Sequence, residues 1–281
     1  MIIGFIGAGK VGSAFGRYLK ECGLEVYGYF SRTSKSSKSA AEFTSSREVS
    51  SIEEIVKNCD YIFITTSDDV IPEITSHLKH FNLQDKKLFH MSGSLSSEVF
   101  LELEDKGAYG YSLHPIFSFP DKNVYKGLKN AYFTIEGKKL ELISEFLQKI
   151  SINYIEIPSN CKEKYHAAMV FASNYLVSLA KIAKQLLKQC EFPEDKIEEA
   201  IYPLMISAVQ NIKEKGIEGA LTGPIVRGDV GTVKKHIESI GEYKKIYSLL
   251  GEVAISIAKE KGILDENKVE KILGILREEQ I

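Results

Sequence analysis

Six residues near the start of the chain, Gly7-Ala8-Gly9-Lys10-Val11-Gly12, have the G-x-G-x-x-G spacing that lets a backbone approach a pyrophosphate. The run follows an apolar segment, Ile2 to Ile6, opens a helical pattern and precedes a second strand-like run, the context in which the spacing has meaning. Gly7 permits a tight turn, Gly9 leaves room for phosphates, and Gly12 allows helix and strand to pack closely. The helix that starts here offers unpaired N–H groups and the positive end of its dipole. The bland reading is that these glycines only build a turn.

The end of the second strand selects between dinucleotides. A free ribose 2′-hydroxyl is normally met there by Asp or Glu. This chain reads Tyr29-Phe30-Ser31-Arg32-Thr33-Ser34-Lys35, without a carboxylate. Arg32 offers a planar donor fork, and Ser31 and Thr33 offer hydroxyls, a set suited to a 2′-phosphate. Arginine is scarce in the chain and lysine abundant, so an arginine here carries weight, although an ordinary solvated loop would read the same way. The expectation is NADP rather than NAD. Two further segments fall at strand ends, Thr65-Thr66-Ser67 and Met91-Ser92-Gly93-Ser94. Open α/β sheets bind ligands at the carboxyl ends of their strands, so Thr65, Thr66, Ser92 and Gly93 are expected to meet the cofactor. Plain helix capping is the alternative.

Candidates for proton chemistry lie further on. His114-Pro115 ends a strand on the same edge as the glycine loop, where an imidazole titrating near pH 6.5 could give or take the proton that accompanies hydride transfer. A core histidine bonded to a backbone carbonyl is the other reading. His166 and Ser173, seven apart on one helical face, and Asn174 beside them form either a packing network or the wall of a substrate cleft. The loop Leu221 to Asp229 offers Arg227 to an anionic substrate, or uses Asp229 to cap the next helix. His236 and Lys234 read as solvated.

The elements that must position these groups are legible in outline. Strand-like runs at Ile2 to Ile6, Glu25 to Tyr29, Tyr61 to Thr65, Lys87 to Met91 and Tyr109 to Leu113 alternate with helical patterns, which predicts a doubly wound parallel sheet. Ala131 to Ile135 and Asn153 to Ile157 read as two more strands, and Ser34 to Ser39 as a Ser/Lys loop. After Pro158-Ser159-Asn160 no strand is evident and helices dominate. The fold class is therefore α/β, a Rossmann-type sheet over residues 1–158 followed by an all-α domain over 159–281. The run Tyr165 to Leu187 is apolar nearly all round, which predicts a buried helix.

Composition narrows the function classes. The 281 residues carry a formal net charge of −2 and are 44% hydrophobic and 26% charged, so no basic field points to nucleic acid or an anionic membrane. Four scattered cysteines show neither zinc spacing nor a disulfide framework. No signal peptide or bilayer-spanning run is read, and the expectation is a cytoplasmic protein. The apolar helical half predicts a homodimer.

These motifs resemble a known family, in which a Rossmann-like NADP-binding domain precedes the helical "domain of unknown function 2520". The resemblance rests on Gly7 to Gly12, Leu113-His114-Pro115-Ile116-Phe117-Ser118-Phe119-Pro120, Tyr165-His166-Ala167-Ala168 with Phe171-Ala172-Ser173-Asn174-Tyr175, and Leu221-Thr222-Gly223-Pro224 with Arg227-Gly228-Asp229. It covers essentially the whole chain. The family is related to pyrroline-5-carboxylate reductase, prephenate dehydrogenase and ketopantoate reductase. The resemblance to prephenate dehydrogenases implies a substrate-bonding role for His114. The lysine that β-hydroxyacid dehydrogenases place four residues before their asparagine is missing, because Val170 stands four before Asn174.

The expected function is an NADP-dependent oxidoreductase moving a hydride to or from a small polar substrate. His114, His166, Asn174 and Arg227 are its candidate catalytic residues. The alternative is an NADP-binding sensor or partner-binding protein without turnover.

Overall fold

The structure, a computed structural model, describes residues 1–278. Its N-terminal part is one eight-stranded sheet in the order β3-β2-β1-β4-β5-β6-β7-β8. The strands are β1 (Ile2–Ile6), β2 (Glu25–Phe30), β3 (Arg47–Glu48), β4 (Tyr61–Ile64), β5 (Lys87–His90), β6 (Tyr109–Ile116), β7 (Tyr132–Gly137) and β8 (Asn153–Glu156). All neighbours pair in parallel except β6 with β7, which are antiparallel. The first six strands follow the doubly wound Rossmann order, so the switch point lies between β1 and β4. Helices α1 (Lys10–Glu21), α2 (Ser34–Thr44), α3 (Ile52–Asn58), α4 (Ile71–Leu78), α5 (Leu101–Glu104) and α6 (Ser144–Ile150) make the crossovers.

A row of aromatic side chains pins the register. Tyr29, Phe5, Phe63, Phe89 and Tyr111 occupy paired positions on five successive strands. Their rings stack in sequence, with centroids 4.8, 5.4, 4.5 and 5.1 Å apart. All five are fully buried, and cross-strand aromatic pairs of this kind each add up to about 1 kcal/mol. A slip of one residue would turn the whole row to the opposite face, so the register is strongly set. The consequence is functional. The strands emerge together just beyond the row, bringing Gly7, Thr65, Ser92 and His114 to one edge of the sheet.

Two expectations need correction here. Ser34 to Ser39 is the first half of α2, not a loop, because Ser37, Ala40, Ala41 and Thr44 give that helix a buried face. The segment Tyr165 to Leu187 is neither continuous nor buried. It breaks at Ser173 (φ −126°, ψ −68°) into α7 (Lys162–Ala172) and α8 (Asn174–Gln189), and only Lys162 of these two helices is buried.

The composition of the chain changes at Pro158, but compactness changes later. One compact unit spans Met1–Asn174 and a second begins at Tyr175. Helix α7 belongs to the first unit because Lys162 is tied into the sheet, as described below. The second unit holds most of α8, then α9 (Glu194–Ala220, broken at Gly216 by φ +72°), α10 (Pro224–Arg227), α11 (Val230–Ser239), α12 (Lys244–Glu260) and α13 (Glu266–Glu278). Its core gathers Ile225, Val233, Ile237, Ile255, Val269, Ile272 and Leu276. Among the described residues no helix is long and apolar enough to cross a membrane.

Candidate functional site

The glycine loop is shaped by its neighbours as much as by its own sequence. Gly7 sits at φ +109°, a region closed to most side chains, and any Cβ there would lie 2.7–2.8 Å from the Thr65–Thr66 backbone. Thr65 Oγ1 donates to the Gly7 carbonyl at 2.9 Å, and a Cβ on Gly12 would collide with that hydroxyl. A Cβ on Gly9 would meet only the Thr65 carbonyl oxygen, at 3.9 Å, and Gly9 ends the loop as the N-cap of α1 without a side-chain cap. Lys10 is exposed beside the loop, and Val11 packs at the edge of the core.

A cleft of about 550 Å³ opens between this loop and the ends of β2 and β4. Gly7, Ala8 and Gly9 line one side, Ser31, Arg32, Thr33 and Ser36 the second, and Thr65, Thr66 and Ser67 the third. Val70 and Ile74 supply an apolar wall, and among the described residues no carboxylate faces the cleft. Thr66 Oγ1 is buried without a hydrogen-bond partner, as expected of a group reserved for a ligand. The residues therefore fit a dinucleotide: a pre-shaped phosphate loop, an orphaned hydroxyl and a polar, arginine-bearing corner.

A second cavity of about 440 Å³ lies at the C-terminal end of β6. His114, Phe117, Phe119, His166, Met169, Ser173 and Asn174 line it, so three of the four candidate catalytic residues converge within the first unit. His114 Nδ1 is 2.7 Å from the Tyr165 hydroxyl. The rings of His114 and His166 meet edge to face, centroids 6.0 Å apart. Both lean on the turn after β5: a Cβ on Gly93 would lie 2.3 Å from His166 Nδ1 and 2.9 Å from His114 Nε2. Only a glycine admits the two rings at that spot. His166 Nδ1, like Thr66 Oγ1, is buried without a partner.

Beneath this turn lies a residue the sequence did not single out. Lys162, 2% exposed, donates from Nζ to the Ser92 carbonyl (3.0 Å) and to Ser112 Oγ (2.8 Å). Burial pulls its pKa down to about 8, against the upward pull of Glu136 and Asp68. It is the first residue of α7, and Tyr165 and His166 follow at the three- and four-residue spacing that shares a helix face. The clamp at Lys162 thus sets both against β6. The lysine sought one turn before Asn174 is absent, yet a lysine reaches the site from the other end of the helix.

The serines of the turn are also tied down. Ser92 Oγ and Ser94 Oγ each donate to Asp68 Oδ2 at 2.8 Å. His90 is fully buried, with Nε2 3.1 Å from the Ser96 carbonyl and Nδ1 accepting from the Ser92 N–H at 3.2 Å. Burial pushes its pKa down to about 4, helped by the Lys162 charge. The same two causes hold His114 at about 3, so at neutral pH its ring is uncharged rather than poised near 6.5. Burial raises the Tyr165 phenol, which keeps its proton.

Arg227 lies in the second unit, exposed at the end of the four-residue α10. Asp229 caps α11, accepting from the Thr232 N–H at 3.1 Å and its hydroxyl at 2.7 Å. His236 is not solvated but half-buried, its Nδ1 2.9 Å from the Tyr247 hydroxyl. Lys162, His90 and Asp68 were missed because nothing in their own identity marks them, and Tyr165 was legible only as part of the family motif. The one available signal was the Lys162–His166 spacing ahead of an apolar run.

The profile of the Rossmann-like domain matches residues 1–115, and that of the domain of unknown function (DUF2520) matches residues 131–254. No curated protein is significantly similar to the chain. Among solved structures, protein TM1727 from Thermotoga maritima is 30% identical, with a TM-score of 0.70 over 92% of this chain and 99% of that one. Two others share the fold at low identity. A 1-pyrroline-5-carboxylate reductase from Streptococcus pyogenes is 16% identical, with a TM-score of 0.65 over 92% and 98% of the two chains. An imine reductase from Myxococcus stipitatus in complex with NADP+ is 15% identical, with a TM-score of 0.64 over 92% and 93%. With both domain profiles matched in sequence order and a 30% identical relative along nearly its whole length, the chain belongs to the family that joins a Rossmann-like domain to the domain of unknown function 2520.

Proposed function

We propose that the chain is an NADP-dependent oxidoreductase that transfers a hydride to or from a small polar substrate. The observation that carries this reading is the convergence of His114, His166, Ser173 and Asn174 on one cavity at the sheet edge that also bears the glycine loop. Proteins with this fold include a reductase of 1-pyrroline-5-carboxylate and an imine reductase in complex with NADP+. The bound dinucleotide would supply or accept the hydride.

The chain's own residues have separable tasks. The Gly7–Gly9 backbone and the N-terminus of α1 receive the pyrophosphate. Arg32, with Ser31 and Thr33, receives the 2′-phosphate, where a planar guanidinium can bond two oxygens at once. Thr66 Oγ1 is free to bond the ligand. Ser92 and Gly93 form the floor on which the reacting end of the cofactor would rest. His114 is neutral, and Tyr165 fixes its orientation, so it holds a substrate oxygen or nitrogen by hydrogen bonding rather than by shuttling a proton. His166 offers a second unpaired nitrogen beside it.

The proposal extends to a homodimer formed through the helical half. Val177, Leu204 and Ile206 are 71%, 72% and 68% exposed, more apolar surface than a lone subunit normally shows to water. The four cysteines are unpaired, which suits a cytoplasmic, reducing location.

Fluorescence titration of the intact chain with NADPH and NADH tests the cofactor reading. NADPH should bind more tightly, and Arg32→Ala should weaken it by about 1.5–3 kcal/mol while barely changing NADH. Equal affinities would overturn the assignment to NADP. Failure to bind either dinucleotide would overturn the function.

A further inference from the structure

Another cavity, of about 430 Å³, adjoins the cleft at the glycine loop and shares Ala8, Gly9 and Ser36 with it. Its chemistry is different. The cleft has the apolar wall of Val70 and Ile74, whereas this cavity is lined by Lys10, Lys35 and Lys122, with Ser13, Ser36 and Ser39. Among the described residues Asp121 is the one carboxylate on its wall, and Asp121 Oδ1 accepts from the Asn123 N–H at 2.6 Å. Helices α1 and α2 both begin here, and neither has a side-chain cap or an acidic residue in its first turn. Their leading N–H groups add donors and partial positive charge. Lys122 arrives from a distant part of the chain. It opens the segment Lys122–Asn130, anchored by the fully buried Leu128 and by Tyr125, which meets Phe43 of α2 edge to face at 5.8 Å. Lys122 Nζ donates to the Ser39 carbonyl (3.3 Å) and to Ser39 Oγ (3.0 Å), and lies 4.7 Å from the Phe43 ring centroid. An ammonium has three donors, so one N–H remains for a ligand. The charge is held in place before a ligand arrives, which cuts the ordering cost of binding.

Resting on the NADP reading above, we propose that Lys122 and Lys35 form a second grip on the 2′-phosphate beside Arg32, which makes Lys122 a specificity-determining residue remote from the β2 loop. A dinucleotide with its pyrophosphate on the glycine loop sets its adenine ribose at the end of β2, where the two cavities meet. The apolar base belongs against Val70 and Ile74. The 2′-phosphate, with about −1.5 to −2 charges at pH 7, belongs among the lysines. Arg32 can hold two phosphate oxygens in the plane of its guanidinium, which leaves the third for an ammonium. A cofactor that lacks this phosphate offers Lys35 and Lys122 nothing to bind. The two lysines therefore discriminate between dinucleotides without contributing to the affinity that both share.

Calorimetric titration of the full chain with NADPH and NADH, at fixed ionic strength, tests the assignment. Lys122→Gln and Lys35→Gln should each weaken NADPH by about tenfold, the scale of one hydrogen bond to a charged group, and change NADH by less than about twofold. Lys122→Arg should keep most of the NADPH affinity. Lys126→Gln removes the same charge from an exposed position of the same segment, outside the cavity, and should leave both cofactors unaffected. An NADPH-to-NADH ratio unmoved in a folded Lys122→Gln overturns the proposal. So does an equal loss for both cofactors, and so does a Lys126→Gln effect as large as that of Lys122→Gln. The wild-type chain supplies a readout that needs no variant. NADP+ should slow acetylation of Lys122 and Lys35, read by mass spectrometry, more than NAD+ does, and equal protection overturns the proposal. If Lys122→Gln does not fold, that comparison decides. A chain that binds neither dinucleotide refutes the cofactor reading itself. One that prefers NADPH, loses the preference with Arg32→Ala and ignores both lysines refutes only the second grip.

Discussion

Acid should weaken this protein well before its carboxylates titrate, because two buried imidazoles in the first unit are held neutral. His90 uses both ring nitrogens, Nε2 towards the Ser96 carbonyl and Nδ1 as acceptor from the Ser92 N–H. Protonating Nδ1 would break the second bond and put a cation near the Lys162 ammonium. Burial and that lysine hold His90 at about 4 and His114 at about 3, against about 6.5 for an imidazole in the unfolded chain. Both folded values are depressed, so below pH 6.5 the unfolded chain binds more protons than the folded one. Stability is then fully present above about pH 6.5 and falls as the pH drops through the window between 6.5 and 4. Each such group contributes a slope that rises to about 1.4 kcal/mol per pH unit, so the pair removes about 3 kcal/mol between pH 6.5 and 5. That is a large share of the 5–15 kcal/mol typical of a domain. Urea unfolding at constant ionic strength from pH 8 to 5 measures it. A stability constant across that range would refute the reasoning. His90→Gln should lower stability at pH 7 but remove roughly half of the slope.

Three further outcomes are expected. Gly93→Ala should displace the His114 and His166 rings and lower turnover by about a hundredfold, the usual result of misplacing a reacting group by about 1 Å. Histidine resonances unchanged by that substitution would show that the rings do not lean on residue 93. Thr65→Val removes the hydroxyl that holds the Gly7 carbonyl, and should weaken NADPH binding with a stability loss of about 1 kcal/mol, read by titration and thermal melting. Light scattering at micromolar concentration should give twice the mass of one chain, and a monomeric mass would leave the apolar face of the helical half without the proposed cover.

The features readable from the chain alone are local and periodic. The glycine spacing, the carboxylate-free end of β2, and the alternation of strand and helix specify a Rossmann sheet and the edge on which ligands gather. Those features repeat or adjoin in the chain, so spacing reveals them. His114, His166, Ser173 and Asn174 were also legible as polar interruptions of apolar runs. Three things were decided only by tertiary structure. The serine-rich stretch after Arg32 is helical because Ala40 and Ala41 bury one face of α2, and packing overrides weak propensity. The apolar helix after Tyr165 is broken and exposed, since periodicity reports which residues avoid water but not what covers them. Lys162 is one lysine among many in the chain, and no local pattern tells a buried ammonium from a solvated one. Its place beneath Ser92 depends on contacts 70 and 50 residues away in the sequence, and burial, with the ammonium held there adding to it, keeps His114 uncharged.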